Sequence, residues 1–166
     1  MRIEPDKCEF LKTELSCLGH IVSSEALKPD PQKVKAINEF PTPRNTTDVK
    51  SYLGLVGDYR KFVPQFNKIA KPLNDLMKKE SEWQWEQEHS NSFRLLQTLL
   101  TQEPVLQYPD FTKPFLLTTD ASGFAIEAIL SEGKIGQDRS IAFASRTLNK
   151  AEQNYSTSEK ELTAIV

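Results

Sequence analysis

The residues of this 166-residue chain best suited to chemistry are a few isolated acids, a pair of thiols and a block of lysines. Asp120 stands in "FLLTTDASGFAIEAIL", between two strand-like apolar runs. A carboxylate placed there can hold a hard divalent cation, since Mg²⁺ selects oxygen ligands. The tetrapeptide "DASG" is also a good turn, in which an aspartate bonds its own backbone, and the residues alone leave both readings open. Cys8, Cys17 and His20 form C-x8-C-x2-H, a poor match to zinc-ligand spacing, and two cysteines are too few for a disulfide framework. Two reduced, half-buried thiols are the expectation. His89 has no second ligand near it in sequence and reads as a surface or packing histidine.

The net charge of −2 conceals an asymmetry: residues 28–79 carry eleven Lys/Arg against five Asp/Glu, a surplus of +6, and the remainder carries −8. A basic segment of that size can track a phosphate backbone, or simply be the solvated surface of helices. No apolar run approaches the roughly 18 residues of a membrane span. The start "MRIEPDKCEF" lacks the apolar centre of a secretory signal, so an intracellular chain is expected, cytoplasmic or nuclear. A hydrophobic share of 38% can supply one ordinary core or two small ones.

Periodicity gives the elements that must position these groups. "KCEFLKTELSCLGHIVSS" alternates in short apolar stretches interrupted by Gly19, which predicts a β-hairpin or strand pair. In "LKPDPQKVKAINEFPTP", Asp30 can cap, Pro31 suits a first helical turn, Val34 and Ile37 share a face and Pro41 stops the helix. "NTTDVKSYLGLVGDYRKFVP" puts Val49, Tyr52, Leu53, Val56 and Tyr59 on one stripe, capped by Asn45 or Thr46 and ended by Pro64. "FNKIAKPLNDLMKK" continues with Ile69, Leu73 and Leu76, and Pro72 must lie in its first turn or kink it. Phe93, Leu96, Leu99 and Leu100 form the face of a fourth helix ended by Pro104.

From Phe115 the period becomes two. Phe115 to Thr119, Ala125 to Ser131 and Ser140 to Arg146 predict an antiparallel meander, and "NYSTSEKELTAIV" opens a last helix. In that helix Leu162, Ile165 and Val166 are expected as the buried stripe, bordered by Glu161. Ser156 with Glu159, or Ser158 with Glu161, can form the capping box. The fold class is therefore α+β: a β-hairpin and helical module, then a three-stranded antiparallel meander with one helix.

Gly54 and Gly57 lie inside the second helix, where each glycine is about 1 kcal/mol less favourable than alanine. They share a face with Lys50 and stand close to Lys61, beside the apolar stripe. Either another helix packs closely there, or the bare backbone lets a ligand approach.

"CLGHIVS", "LKPDPQKVKAINEFPTP", "VKSYLGLVGDYRKFVPQFNKIAKPLNDL", "PVLQYPDFTKPFLLTTDAS" and "YSTSEKELTAIV" together resemble, in order and over nearly the whole chain, the Pol polyprotein of gypsy-type LTR retrotransposons. The resemblance implies four regions. Residues 1–28 would end the palm with a primer-grip hairpin, 29–80 form a helical thumb, 81–111 a connection, and 112–166 a truncated ribonuclease H-like domain. It implies Leu18 and Gly19 at the primer strand, and a thumb helix from Asp48 to Arg60 along the minor groove of the template-primer. On that helix Lys50 and Gly54 would face the groove, with Tyr59 near a groove-facing aromatic and Lys61 beside them; glycine then favours nucleic acid over packing.

In the ribonuclease H enzymes, a carboxylate ending the first strand and one on the following helix hold divalent ions together with further acids, which implies Asp120 and Glu161 as catalytic Mg²⁺ ligands. Glu159 is the rival of Glu161. Glu127 departs from the family, which usually has glycine or another small residue there; buried without a partner it would be destabilising by several kcal/mol. The family's polymerase aspartates belong upstream, and two of its four nuclease acids belong past Val166. The expected function is thus a Pol fragment that binds RNA–DNA hybrid or DNA duplex without independent catalysis and with Mg²⁺ weakly held or absent. The alternatives are part of an active RNA-directed DNA polymerase and ribonuclease H, and a co-opted protein-interaction module. An uncovered sheet edge and apolar face would invite other Pol segments or self-association.

Overall fold

Four helices assemble around one stripe-on-stripe core, and the sequence shows why each begins and ends where it does. The computed structural model describes residues 11–24, 26–78, 82–102 and 106–166; Cys8, Lys79 and Pro104, to which the reading of the sequence gave roles, lie outside them. Helix α1 (Pro31–Asn38) starts with Pro31 in its first turn and Asp30 accepting the Gln32 N–H at 2.8 Å. Helix α2 (Thr46–Gly57) is capped by Asn45, which accepts the Asp48 N–H at 2.9 Å. Its residues Val49, Tyr52 and Val56 are wholly buried. The helix ends at Gly57, short of the expected Arg60, and a 3-10 turn covers Arg60–Phe62.

Helix α3 (Phe66–Asp75) holds Pro72 in its interior rather than its first turn. The ring has no N–H to donate, so one bond of the helical ladder is lost, and the burial of Phe66, Ala70 and Leu73 offsets this. Helix α4 (Gln87–Thr101) contributes Phe93, Leu96 and Leu100 to the core. His89 is buried at its start and its Nδ1 accepts the Glu86 N–H at 2.9 Å, which makes it a capping residue. The Tyr52 hydroxyl donates to the Phe93 carbonyl at 3.0 Å and ties α2 to α4.

Two antiparallel sheets flank this core. The first has the order β1 (Glu14–Cys17), β2 (His20–Ser23), β3 (Ala26–Pro29) and β4 (Leu106–Gln107). The expected pair is thus extended by two strands. Strand β3 follows the hairpin at once, and β4 returns after all four helices to pair Leu106 with Leu27. The second sheet is the expected meander, β5 (Phe115–Ala121), β6 (Ala125–Glu132) and β7 (Arg139–Thr147). Its turn lies past Asp120: Ser122 Oγ donates to the Ala125 carbonyl at 2.9 Å, so Asp120 is a strand residue.

The sheets and helices are in contact across β7. Phe143 packs against the helical core, and the Asn67 N–H donates to Ser145 Oγ at 3.1 Å. Glu132, only 5% exposed, accepts the Asp110 N–H at 2.7 Å and faces Lys113 at 3.7 Å, fastening the segment that leads into β5.

Helix α5 (Thr157–Ile165) corrects the sequence in one respect. Leu162, Ile165 and Val166 are exposed, while Lys160, Glu161, Thr163 and Ala164 form the half-buried side. Thr163 and Ala164 border Ile126, Ala128 and Ala144 of the sheet, where small residues allow close approach. No helix among the described residues is long and apolar enough to cross a membrane.

Candidate nucleic-acid and metal-binding site

Lys50 and Gly54 lie on the exposed side of α2, and Gly57 is half-buried one turn further. A β-carbon built on either glycine would meet nothing within 4 Å. Packing against another element among the described residues therefore does not explain them, and toward those residues the helix presents bare backbone. Lys61 follows on the 3-10 turn, with Nζ 5.4 Å from the centre of the Phe62 ring. Burial pulls its pKa below the ordinary lysine value. Sequence reasoning missed the neighbours it acquires: Asp58, Arg60 and Lys61 line a groove with Phe143 and Arg146 of β7. Arg60–Lys61 was a visible dibasic signal, but its juxtaposition with β7 is tertiary. Arg146 is already engaged with Glu152, at 2.8 and 3.1 Å.

The β1–β2 turn holds the other expected contacts. Leu18 is 94% exposed, and Leu18 and Gly19 both take left-handed backbone, with φ of 50° and 79°. Gly19 suits that conformation because it has no β-carbon. Tyr59, expected near a groove-facing aromatic, is only 2% exposed. Its position follows from the early end of α2: its N–H bonds the Val56 carbonyl at 3.0 Å, and the ring turns into the core. Tyr59 therefore reaches the surface only through what it holds.

Strand alternation decides what surrounds Asp120. Register pairs Asp120 with Glu127 and Glu127 with Ser145, so the three share a sheet face, the one on which Ser145 bonds α3. A cavity of about 270 Å³ on this face is lined by Pro64, Gln65, Ile69, Asp120, Glu127 and Phe143, among others. Burial raises the Glu127 pKa, Asp120 raises it further, and Lys68 works the other way. Glu127 is thus neither free in solvent nor buried alone.

The two acids of α5 differ in their local engagement. Glu159 forms the capping box, accepting the Ser156 N–H at 2.8 Å and the Ser156 hydroxyl at 2.7 Å, and these bonds lower its pKa. Glu161 has no such engagement and sits on the half-buried side of the helix. No hydrogen bond or ion pair joins Glu161 to Asp120. Among the described residues there is no group of three or more His, Cys, Asp and Glu placed to hold a metal ion. Cys17 is an exposed free thiol, and the His20 ring lies against Tyr59 and Phe62.

A meander backed by a helix, carrying an acid on its first strand and another on that helix, defines the class: residues 85–166 match the family model described as an RNase H-like domain found in reverse transcriptase. Solved structures agree. The foamy viral protease-reverse transcriptase in complex with RNA/DNA hybrid is similar over 96% of this chain and 22% of its own, with a TM-score of 0.76 and 25% identity. A form of it in complex with double-stranded DNA is similar over 93% of this chain and 27% of its own, with a TM-score of 0.75 and 25% identity.

Curated relatives fix the kind more closely. The Pol polyprotein of transposon 297 from Drosophila melanogaster is 47% identical over 100% of this chain. That of transposon gypsy from the same fly is 43% identical, again over 100%. The chain belongs to the Pol polyproteins of gypsy-type retrotransposons. It spans 15% and 17% of the length of those two relatives.

Proposed function

We propose that this segment of Pol holds a template-primer, either RNA–DNA hybrid or DNA duplex, against the exposed side of α2 and the tip of the β1–β2 hairpin. The observation that carries the reading is the open face at Gly54 and Gly57, where a β-carbon would meet nothing within 4 Å among the described residues. Lys50 and Lys61 supply phosphate contacts, Gly54 lets the helix axis approach the sugars, and Leu18 and Gly19 meet the primer strand. Contacts of this kind read duplex shape and select no sequence. The solved relatives bound to hybrid and to double-stranded DNA support the same partners here. In this reading residues 1–28 end a palm, 29–80 are the thumb, 81–111 the connection, and 112–166 the opening part of the ribonuclease H domain.

Asp120 and Glu161 are, in the same proposal, this segment's share of oxygen donors for Mg²⁺. Neither carboxylate is engaged by a cation among the described residues, and all-oxygen donors fit that ion. Mg²⁺ bound by them and by further acids would position a water and stabilise the leaving oxygen in hydrolysis of the RNA strand.

The test is a titration of fluorescent RNA–DNA hybrid at about 50 and about 200 mM salt, with Lys50→Ala beside the parent chain. The expected result is an affinity that falls with salt, and a slope smaller by roughly 1 in the variant. Affinity indifferent to salt, or identical slopes, would refute the assignment.

A further inference from the structure

The outer strand of the hairpin that carries Leu18 is the edge of its sheet. Every residue of β1 is exposed, and the strand is held through its pairing with β2, which in turn pairs with β3. Its tip is nevertheless tied down at one atom. The Gly19 carbonyl accepts the Tyr59 hydroxyl at 2.8 Å, across 40 residues of sequence, and also accepts the Asp30 N–H at 3.0 Å. Burial, with Asp30 and Asp58 adding to it, raises the Tyr59 pKa, so the hydroxyl remains a donor at neutral pH.

The next residue strengthens the tie. The His20 ring stacks on Phe62 at 5.8 Å and tilts against Tyr59 at 5.5 Å, and its Nδ1 lies 3.0 Å from the Leu18 carbonyl. Gly19 leaves the room this needs, because a β-carbon there would come within 2.8 Å of the Tyr59 hydroxyl oxygen. The turn is thus clamped onto the residues that directly follow α2.

We infer that Tyr59 is a positioning residue: its hydroxyl fixes the Leu18 tip relative to the Lys50–Gly54 side of α2, so that a duplex meets hairpin and helix as one preformed surface. This rests on the duplex-binding reading above. Tyr59 itself touches no nucleic acid in this scheme. Without the clamp the tip would have to be ordered at the moment of binding, and its contact would contribute correspondingly less.

Tyr59→Phe removes one oxygen and keeps the buried ring, so the variant should fold. Affinity for a hybrid with a recessed primer end is measured for the parent chain, Tyr59→Phe, Leu18→Ala, Lys50→Ala, and the two double variants that contain Tyr59→Phe. Tyr59→Phe should weaken binding by roughly fivefold to tenfold, the range of a single hydrogen bond. The loss caused by Leu18→Ala should largely disappear in the Tyr59→Phe background, while the loss caused by Lys50→Ala should persist. An undiminished Leu18→Ala loss in that background would overturn the inference.

Amide exchange in the free protein separates this from a failure of the duplex-binding reading. Tyr59→Phe should speed exchange at the hairpin and Asp30 amides and leave α4 unchanged. Unchanged hairpin exchange overturns the clamp whatever the binding data show. Faster exchange without any duplex binding would refute the proposed function and, with it, the purpose assigned to the clamp.

Discussion

Gly54→Ala should move stability and binding in opposite directions. Inside the folded chain the added methyl meets nothing within 4 Å, so it creates no clash. Alanine is favoured over glycine in a helix interior by about 1 kcal/mol, because glycine loses more backbone freedom on folding. For a chain of this size the gain corresponds to a rise in Tm of roughly 2–4 °C. Against a duplex the same methyl stands between the helix backbone and the sugars. Forcing one carbon into a close-packed contact is unfavourable by about 1–3 kcal/mol, which weakens affinity by roughly fivefold or more. Thermal unfolding and hybrid anisotropy on one preparation read both quantities. A more stable variant with undiminished affinity would refute the claim that Gly54 makes room for nucleic acid, and a less stable one would show that something within the chain packs there.

Two further results follow from burial and charge. Because the folded-state pKa of Glu127 lies above its ordinary value, its ionisation opposes folding; that penalty grows as pH rises through the folded-state pKa and is absent at low pH. Glu127→Gln should therefore raise the urea midpoint at about pH 7 and lose that advantage at about pH 3; an equal advantage at both would show that burial and Asp120 do not govern this group. On helix packing, Leu96→Ala at a wholly buried site should reduce stability by about 2–5 kcal/mol, whereas Leu162→Ala, at 62% exposure, should stay within about 0.5 kcal/mol of the parent, as judged by denaturant unfolding.

Helices α1, α2 and α4 were legible because each has an apolar stripe and a local cap, and local chemistry suffices to place such elements. The meander was legible for the same reason: strand periodicity and turn residues lie close together in sequence. Strands β3 and β4 were not. One ends on Pro29 and reads as a linker, and the other has two residues, too few for any period. They exist because β3 pairs with β2 on one side and with β4 on the other, a fact of assembly rather than of local preference. The outward face of α5 failed for a related reason. Apolar periodicity identifies the side that would gain most from burial, yet the sheet beside it accepts Thr163 and Ala164, whose size fits the surface presented by Ile126, Ala128 and Ala144.

Tyr59 shows where a motif and a period compete for one residue. The apolar stripe placed it in the core, while the family pattern placed it beside the groove, and a single side chain cannot do both. The backbone decides: α2 stops at Gly57, the Tyr59 N–H closes a tighter bond to Val56, and the ring enters the core with its hydroxyl turned to Gly19. What remains at the proposed duplex surface is two lysines, two glycines and a hairpin tip. A face built largely from missing side chains gains its geometry from residues behind it, and for that reason the hydroxyl of the buried Tyr59 should matter to binding.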